Sequence, residues 1–129
     1  MLIKFQELVD ICKKLRSEDG GCPWDRAQTF ETMKKCILDE AEEVAQAIDK
    51  NDIPNLEEEL GDLLFNIFII AQIASEKGDF DLKSVLEKIS EKIVSRHTWV
   101  FGEDKAATAE EALALWKKNK VKERSKNAE

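Results

Sequence analysis

Apolar residues recur every three to four positions through most of the chain, and that period predicts helices. Phe5, Leu8, Val9, Cys12 and Leu15 carry a first helix over about Ile3–Arg16. A loop follows at residues 17–25, rich in turn formers yet containing Trp24. A second helix is expected over Thr29–Asp49 and a third over Pro54–Lys77, the proline suiting a first turn and Gly78 a C-terminal stop. Asp81 can cap a fourth helix reaching about Ser95, and residues 96–102 break the pattern. Thr108 with Glu111 forms a capping box for a fifth helix ending near Arg124, with residues 125–129 expected to fray. The expectation is an all-α antiparallel helical bundle of about five helices, a single domain over residues 1–129 without repeats.

The third predicted helix departs from an amphipathic pattern. Leu60, Leu63, Leu64, Phe65, Ile67, Phe68, Ile69, Ile70 and Ile73 are apolar nearly all round. A surface helix does not tolerate that, and a chain of 129 residues can hardly enclose one helix completely. A second subunit is expected to cover part of it, the bundle being completed by dimerisation; a central core helix of a monomer is the alternative.

Composition narrows the class. Two prolines, five glycines and no tyrosine favour few long helices over many short strands. The apolar run Leu63–Ile73 is interrupted by Asn66 and Gln72 and is too short for a bilayer, so no membrane association is expected. Cys12, Cys22 and Cys36 are odd in number and far apart, fitting neither a disulfide framework nor, with His97 the only histidine, a zinc site. A cytoplasmic location is the reading.

Charge is unevenly placed. Residues 39–62 hold ten acids and one base, Lys50, while residues 117–126 hold six bases and one acid, Glu123. The acidic block argues against nucleic acid and for a solvated face or a cation site. Helical geometry sharpens this. With Ile37, Ala41, Val44 and Ile48 as the apolar centre of the second helix, Glu40 and Glu43 share a flank with Cys36 and Ala47, and Asp39 and Glu42 point away. With Leu56, Leu60, Leu64, Ile67 and Ala71 as the centre of the third, Glu59 and Asp62 share a flank with Asn66 and Ile73. The short link at residues 50–53 makes the two helices antiparallel neighbours, able to bring the stripes together. Converging carboxylates repel unless protonated or neutralised. A hard divalent cation on oxygen ligands, magnesium, manganese or calcium, relieves that. A di-iron bundle would need Glu-x-x-His pairs, and His97 lies in neither stripe.

Magnesium on carboxylates keeps positions that phosphate oxygens fill, so cations and flat rings are sought elsewhere. Lys92 and Arg96 lie one turn apart, as do Trp116 and Lys120, and Trp24 could close over a site. Ion pairs and core anchors are their ordinary alternatives.

These residues together resemble the MazG family of nucleotide pyrophosphohydrolases. The likeness runs from Gly21-Cys22-Pro23-Trp24-Asp25 with Gln28-Thr29, through Asp39-Glu40-x-x-Glu43 and Glu58-Glu59-Leu60-Gly61-Asp62, to Arg96-His97-x-x-Val100-Phe101 and Trp116-x-x-x-Lys120. It implies an all-α fold assembling as a homodimer or homotetramer. It implies magnesium-dependent hydrolysis of nucleoside triphosphates to monophosphate and pyrophosphate, with manganese a possible substitute, in nucleotide-pool housekeeping. By position, metal-binding and catalytic carboxylates fall on Glu40, Glu43, Glu59 and Asp62, and nucleotide contacts on Lys92, Arg96, Trp116 and Lys120. Asp39 replaces the family's usual glutamate, and Thr98-Trp99 stands where many relatives have Pro-His. The rival reading is a regulatory helical module that binds nucleotide and metal without turnover.

Overall fold

A computed structural model of the chain describes residues 1–128 and contains seven α-helices and no strand among them. They are α1 (Leu2–Leu15), α2 (Pro23–Arg26), α3 (Phe30–Asp49), α4 (Ile53–Lys77), α5 (Leu82–Arg96), α6 (Thr98–Phe101) and α7 (Ala109–Ala128). Five long helices match the periodicity. The two additions, α2 and α6, are four residues each, too short to show a period; α2 sits in the expected loop, with Pro23 in its first turn. The expected fraying of residues 125–129 meets a helix continuing to Ala128, and Glu129 lies outside the described residues.

Local chemistry fixes the ends. Thr29 caps α3 reciprocally with Thr32: each side-chain oxygen accepts from the other's backbone N–H. Asp52 caps α4 by accepting from Asn55 N, and Gly78 closes it in the left-handed conformation at φ 76°. Thr108 Oγ1 accepts from Glu111 N, while the Glu111 carboxylate reaches back to Ala107 N. No helix among the described residues is long and apolar enough to cross a membrane.

The chain divides into two compact units, Met1–Leu82 and Lys83 onward. In the first, α4 is the spine against which α3 and α1 pack. Its core joins Cys12, Met33, Phe68, Ile69 and Ile73, with Leu8, Val9, Cys36, Phe65, Ile70 and Leu82 against it. Phe5 meets Phe68 edge-on at 5.3 Å. The rows expected as apolar centres are packed only in part: Ala71 is buried, and Ile37, Val44 and Leu56 are half-buried. On α3, Met33 and Ala47 are buried whereas Ile48 is 59% exposed. On α4, Asn66, Ile69 and Ile73 are buried whereas Leu60, Leu64 and Ile67 are exposed. Each helix is thus rotated so that its carboxylate stripe faces the seam and an apolar row stays open on the outside.

Arg16 ties this unit together. Its Nε and Nη2 donate to the two carboxylate oxygens of Glu76 at 2.8 and 2.9 Å, and its Nη1 donates to the carbonyls of Asp25 and Gln28. Gly21 lets the chain turn back under α1, since a Cβ there would collide with the carbonyl oxygens of Ser17 and Leu15. In the second unit, Asn119 Nδ2 donates to Arg96 O and Thr98 Oγ1 at 3.0 and 2.9 Å, joining the end of α5 and α6 to α7. Arg96 Nε donates to Glu123 at 2.8 Å.

Arg16→Lys keeps the charge but loses the planar fork. It is expected to destabilise the protein by about 2 kcal/mol in urea unfolding, the scale of a charge-assisted hydrogen bond. Lys35→Ala, which removes an exposed pair with Asp39, should leave the urea midpoint nearly unchanged.

Candidate metal centre

On α3 the positions Cys36, Glu40, Glu43 and Ala47 are spaced four, three and four, a single row along the helix. On α4, Glu59, Asn66 and Ile73 are spaced by seven and form the facing row. Asn66 Nδ2 donates to Cys36 O at 3.2 Å, and Glu59 meets Glu40 and Glu43. Advancing along α3 therefore means retreating along α4, as antiparallel helices joined by a short link require. One oxygen from each of Glu40, Glu43 and Glu59 lies within 4.8 Å of the others. Glu59 is buried, Glu40 half-buried and Glu43 exposed, so the cluster has a closed end and a mouth.

Such a cluster is electrostatically unfavourable by itself. The Oε2 atoms of Glu40 and Glu59 are buried without a hydrogen-bond partner. Ionised carboxylates are acceptors only, so these oxygens cannot satisfy one another unless they share a proton. Sharing with Glu43 is the main influence that pushes the Glu59 carboxyl up to about 7, followed by burial and then by Glu40. A divalent cation would supply the missing partner for both orphaned oxygens and remove the repulsion. An all-oxygen carboxylate set fits magnesium or manganese better than zinc or copper.

The other expected residues fall as follows. Asp62 follows Glu59 by three positions on α4, is exposed, and does not belong to the three-carboxylate cluster. Asp39 and Glu42 are exposed; Asp39 pairs with Lys35 at 2.8 Å, and Glu42 accepts from Gln46. Trp24 lies on α2 and is exposed. In the second unit Lys92 is exposed, whereas Arg96 is buried and held by Glu123. The Arg96 guanidinium carbon sits 4.9 Å, and Lys120 Nζ 5.4 Å, from the centroid of Trp116. Sequence reasoning sets Asn66 in the carboxylate row without assigning it a role. Its buried amide ties α4 to α3 one turn from Glu40, and a polar residue in the midst of the apolar run Leu63–Ile70 is the signal for it. His97 and Trp99, both named in the sequence without a binding role, line a cavity with Trp116.

The chain is an all-α protein with three carboxylates gathered between two antiparallel helices. The family comparison is specific: the MazG nucleotide pyrophosphohydrolase domain matches residues 28–101, and the chain belongs to that family. It is 40% identical over 126 residues to the nucleoside triphosphate pyrophosphohydrolase of Escherichia coli (strain K12), covering 98% of this chain and 48% of that protein. It is also 40% identical over 124 residues to the Thermotoga maritima nucleoside triphosphate pyrophosphohydrolase/pyrophosphatase MazG, covering 96% of this chain and 47% of that one. The chain thus spans about half the length of these curated relatives. The crystal structure of a mazG-related protein from Thermotoga maritima is similar with a TM-score of 0.74 at 39% identity, over 90% of this chain and 98% of that chain.

The raised Glu59 carboxyl has a definite sign in stability. The folded protein holds the proton more tightly than the unfolded chain, so the contribution is complete below the ordinary value of 4.5 and is lost as pH rises through about 7. Metal-free protein is expected to melt at progressively lower temperature across that interval. Glu59→Gln, which cannot ionise, should flatten the decline in a series of thermal melts.

Proposed function

We propose that this chain hydrolyses nucleoside triphosphates to nucleoside monophosphate and pyrophosphate with a magnesium ion bound at Glu40, Glu43 and Glu59. The observation that carries the metal is the pair of orphaned buried oxygens, Glu40 Oε2 and Glu59 Oε2, in a cluster that only a shared proton or a cation would neutralise. Family membership and the names of the relatives support the reaction. Asp62, on the same helix as Glu59, is the fourth carboxylate, reaching the metal by a change of rotamer.

When bound, magnesium would polarise the phosphate oxygens and lower the pKa of a coordinated water. The protein's own part is to hold the reactants and move a proton. Glu59, closed off at the inner end, anchors the site. Glu43, at the mouth, is placed to accept a proton from attacking water. Asn66 fixes the α3 backbone one turn away, which would hold Glu40 and Glu43 beside Glu59. Lys92 is exposed and Lys120 stands over Trp116, and both are cations suited to an anionic ligand. Arg96 in this arrangement positions Trp116. The housekeeping of nucleotide pools is the biological role this reaction suits.

The open rows Leu60, Leu64 and Ile67 on α4 and Leu38 and Ile48 on α3 support a homodimer, or a tetramer built from it. Leu38→Glu would put a charge in that surface at an exposed position of α3. It is expected to yield a monomer in light scattering where the parent protein is an oligomer; a monomeric parent removes the assembly.

The reaction is tested by incubating the protein with magnesium and each nucleoside triphosphate and separating the products. Monophosphate and pyrophosphate are expected in equal amounts; diphosphate with orthophosphate would move the attack to the γ-phosphorus and refute the proposal. Ala at Glu40, Glu43 or Glu59 should lower kcat/KM at least about a hundredfold, the scale of a lost ligand or its immediate support. Asp39→Ala and Glu42→Ala should remain close to the parent.

A further inference from the structure

Arg96, the last residue of α5, is buried within the second unit at 8% exposure. Three residues of α7 grip it. Trp116, Asn119 and Glu123 are spaced by three and four, which sets them on one face of that helix. The guanidinium carbon of Arg96 lies 4.9 Å from the Trp116 ring centroid, and Asn119 Nδ2 donates to the Arg96 carbonyl at 3.0 Å. Arg96 Nε donates to one Glu123 oxygen at 2.8 Å, and Ser95 Oγ donates to the other at 3.1 Å, so the carboxylate is fixed at both ends. The hydrogen bond from Arg96 is the main influence that holds the Glu123 carboxyl below its ordinary value, so the pair stays ionised. A tie between α5 and α7 does not need this arrangement, since well-packed hydrocarbon of similar volume holds two helices at least as firmly as a buried ion pair. What the pair adds is orientation. A guanidinium is a rigid plane with five donors in a fixed fork. Glu123 holds it by one edge and Trp116 by one face, and an edge and a face together fix a plane.

We propose that Glu123 is a positioning residue for nucleotide binding: by fixing the plane of Arg96 it holds the Trp116 ring in the orientation that receives the substrate. The inference rests on the triphosphate reading above, with Trp116 as a nucleotide contact, and it concerns a residue that touches no substrate itself. Glu123 acts through Arg96, and Arg96 acts through its stacking on Trp116. Lys120, one turn after Trp116, stands 5.4 Å from the same ring centroid, so the indole is held between two cations of which only Arg96 is itself anchored by Glu123. A ring whose orientation is fixed beforehand loses little freedom when a ligand arrives, and that saving appears as affinity. It contributes equally to bound substrate and to the transition state at phosphorus, so its loss should fall on KM and leave kcat in place.

The test is steady-state hydrolysis of ATP with magnesium by the parent protein, Glu123→Ala and Glu123→Gln, each also made in a Trp116→Ala background, with thermal melts alongside. Glu123→Ala is expected to raise KM about tenfold, the scale of one charge-assisted contact, with kcat within about twofold of the parent. Glu123→Gln keeps an oxygen that can accept from Arg96 Nε and should recover most of the affinity. In the Trp116→Ala background Glu123→Ala should add little, because the two changes remove one and the same contact. A KM that rises by the same factor with and without Trp116 would overturn the proposal. So would a lowered melting temperature with KM unchanged, which would make Glu123 a structural tie alone, or a glutamine variant no better than alanine, which would make it a source of charge. If Glu123→Ala does not fold, Ser95→Ala, which frees one end of the carboxylate, takes its place: a smaller rise in KM is expected, and an unchanged KM overturns the proposal. If the parent turns over no triphosphate, calorimetric binding of ATP decides. Binding weakened in Glu123→Ala and restored in Glu123→Gln upholds the positioning role while the reaction fails; equal binding by all three, or none by the parent, refutes it.

Discussion

The repulsion among Glu40, Glu43 and Glu59 is the constraint around which the first unit is organised. Helix α3 carries an apolar row at Ile37, Ala41, Val44 and Ile48 that would bury more hydrocarbon against α4 than the row it uses. The protein instead turns Cys36, Glu40, Glu43 and Ala47 into the seam and leaves Ile48 exposed. Helix α4 does the same, burying Glu59 and Asn66 while Leu60 and Leu64 remain open. Burying carboxylates and exposing leucines runs against the hydrophobic effect on both helices at once. The arrangement is intelligible only if something outside the polypeptide neutralises the seam and something covers the outer faces. A divalent cation and a second copy of the chain are the two agents proposed.

Around this seam the rest of the unit is conventionally stabilised. The apolar half of α4, from Phe65 to Ala74, packs on α1 and the start of α3 through Cys12, Met33, Phe68 and Ile69. Arg16 fastens the loop after α1 to the far end of α4 through Glu76. The strain is thus confined to one end of the α3–α4 pair, and the other end anchors it. Such a division gives carboxylates that keep their geometry without the ion, the condition for a preorganised metal site.

Much of this was legible in the residues. Gly78, the capping box of Thr108 with Glu111 and the 3.6-residue period set the long helices to within a residue or two, except that the last runs four residues past Arg124. The spacing of Glu40 with Glu43 put two acids on one row because helical geometry leaves no alternative. The rotation of that row was not legible, because a pattern read as apolar centre and acidic flank assumes that hydrocarbon decides which face is buried. Here Glu59 and Asn66 are buried while apolar residues such as Leu60 and Leu64 stay exposed, which supports the partner proposed above. Asp62 shares a row with Glu59 in the sequence, while the carboxylates gathered within 4.8 Å are Glu40, Glu43 and Glu59. The cations of the second unit were legible as charges but not as partners. The choice of Glu123 by Arg96 depends on how α7 is held against α5 and α6, which Asn119 determines across 23 residues of sequence from Arg96.

Calorimetric titration of the metal-free protein with magnesium, in two buffers of different ionisation heat near pH 7, most directly tests whether the carboxylate seam is a cation site. Glu59 carries a shared proton in that range, and a cation must displace it. Saturable binding accompanied by release of a fraction of a proton is the expected result, with the release abolished in Glu59→Gln. Absence of saturable magnesium binding, or binding that is indifferent to both buffer and Glu59, would show that the three carboxylates are not the metal centre.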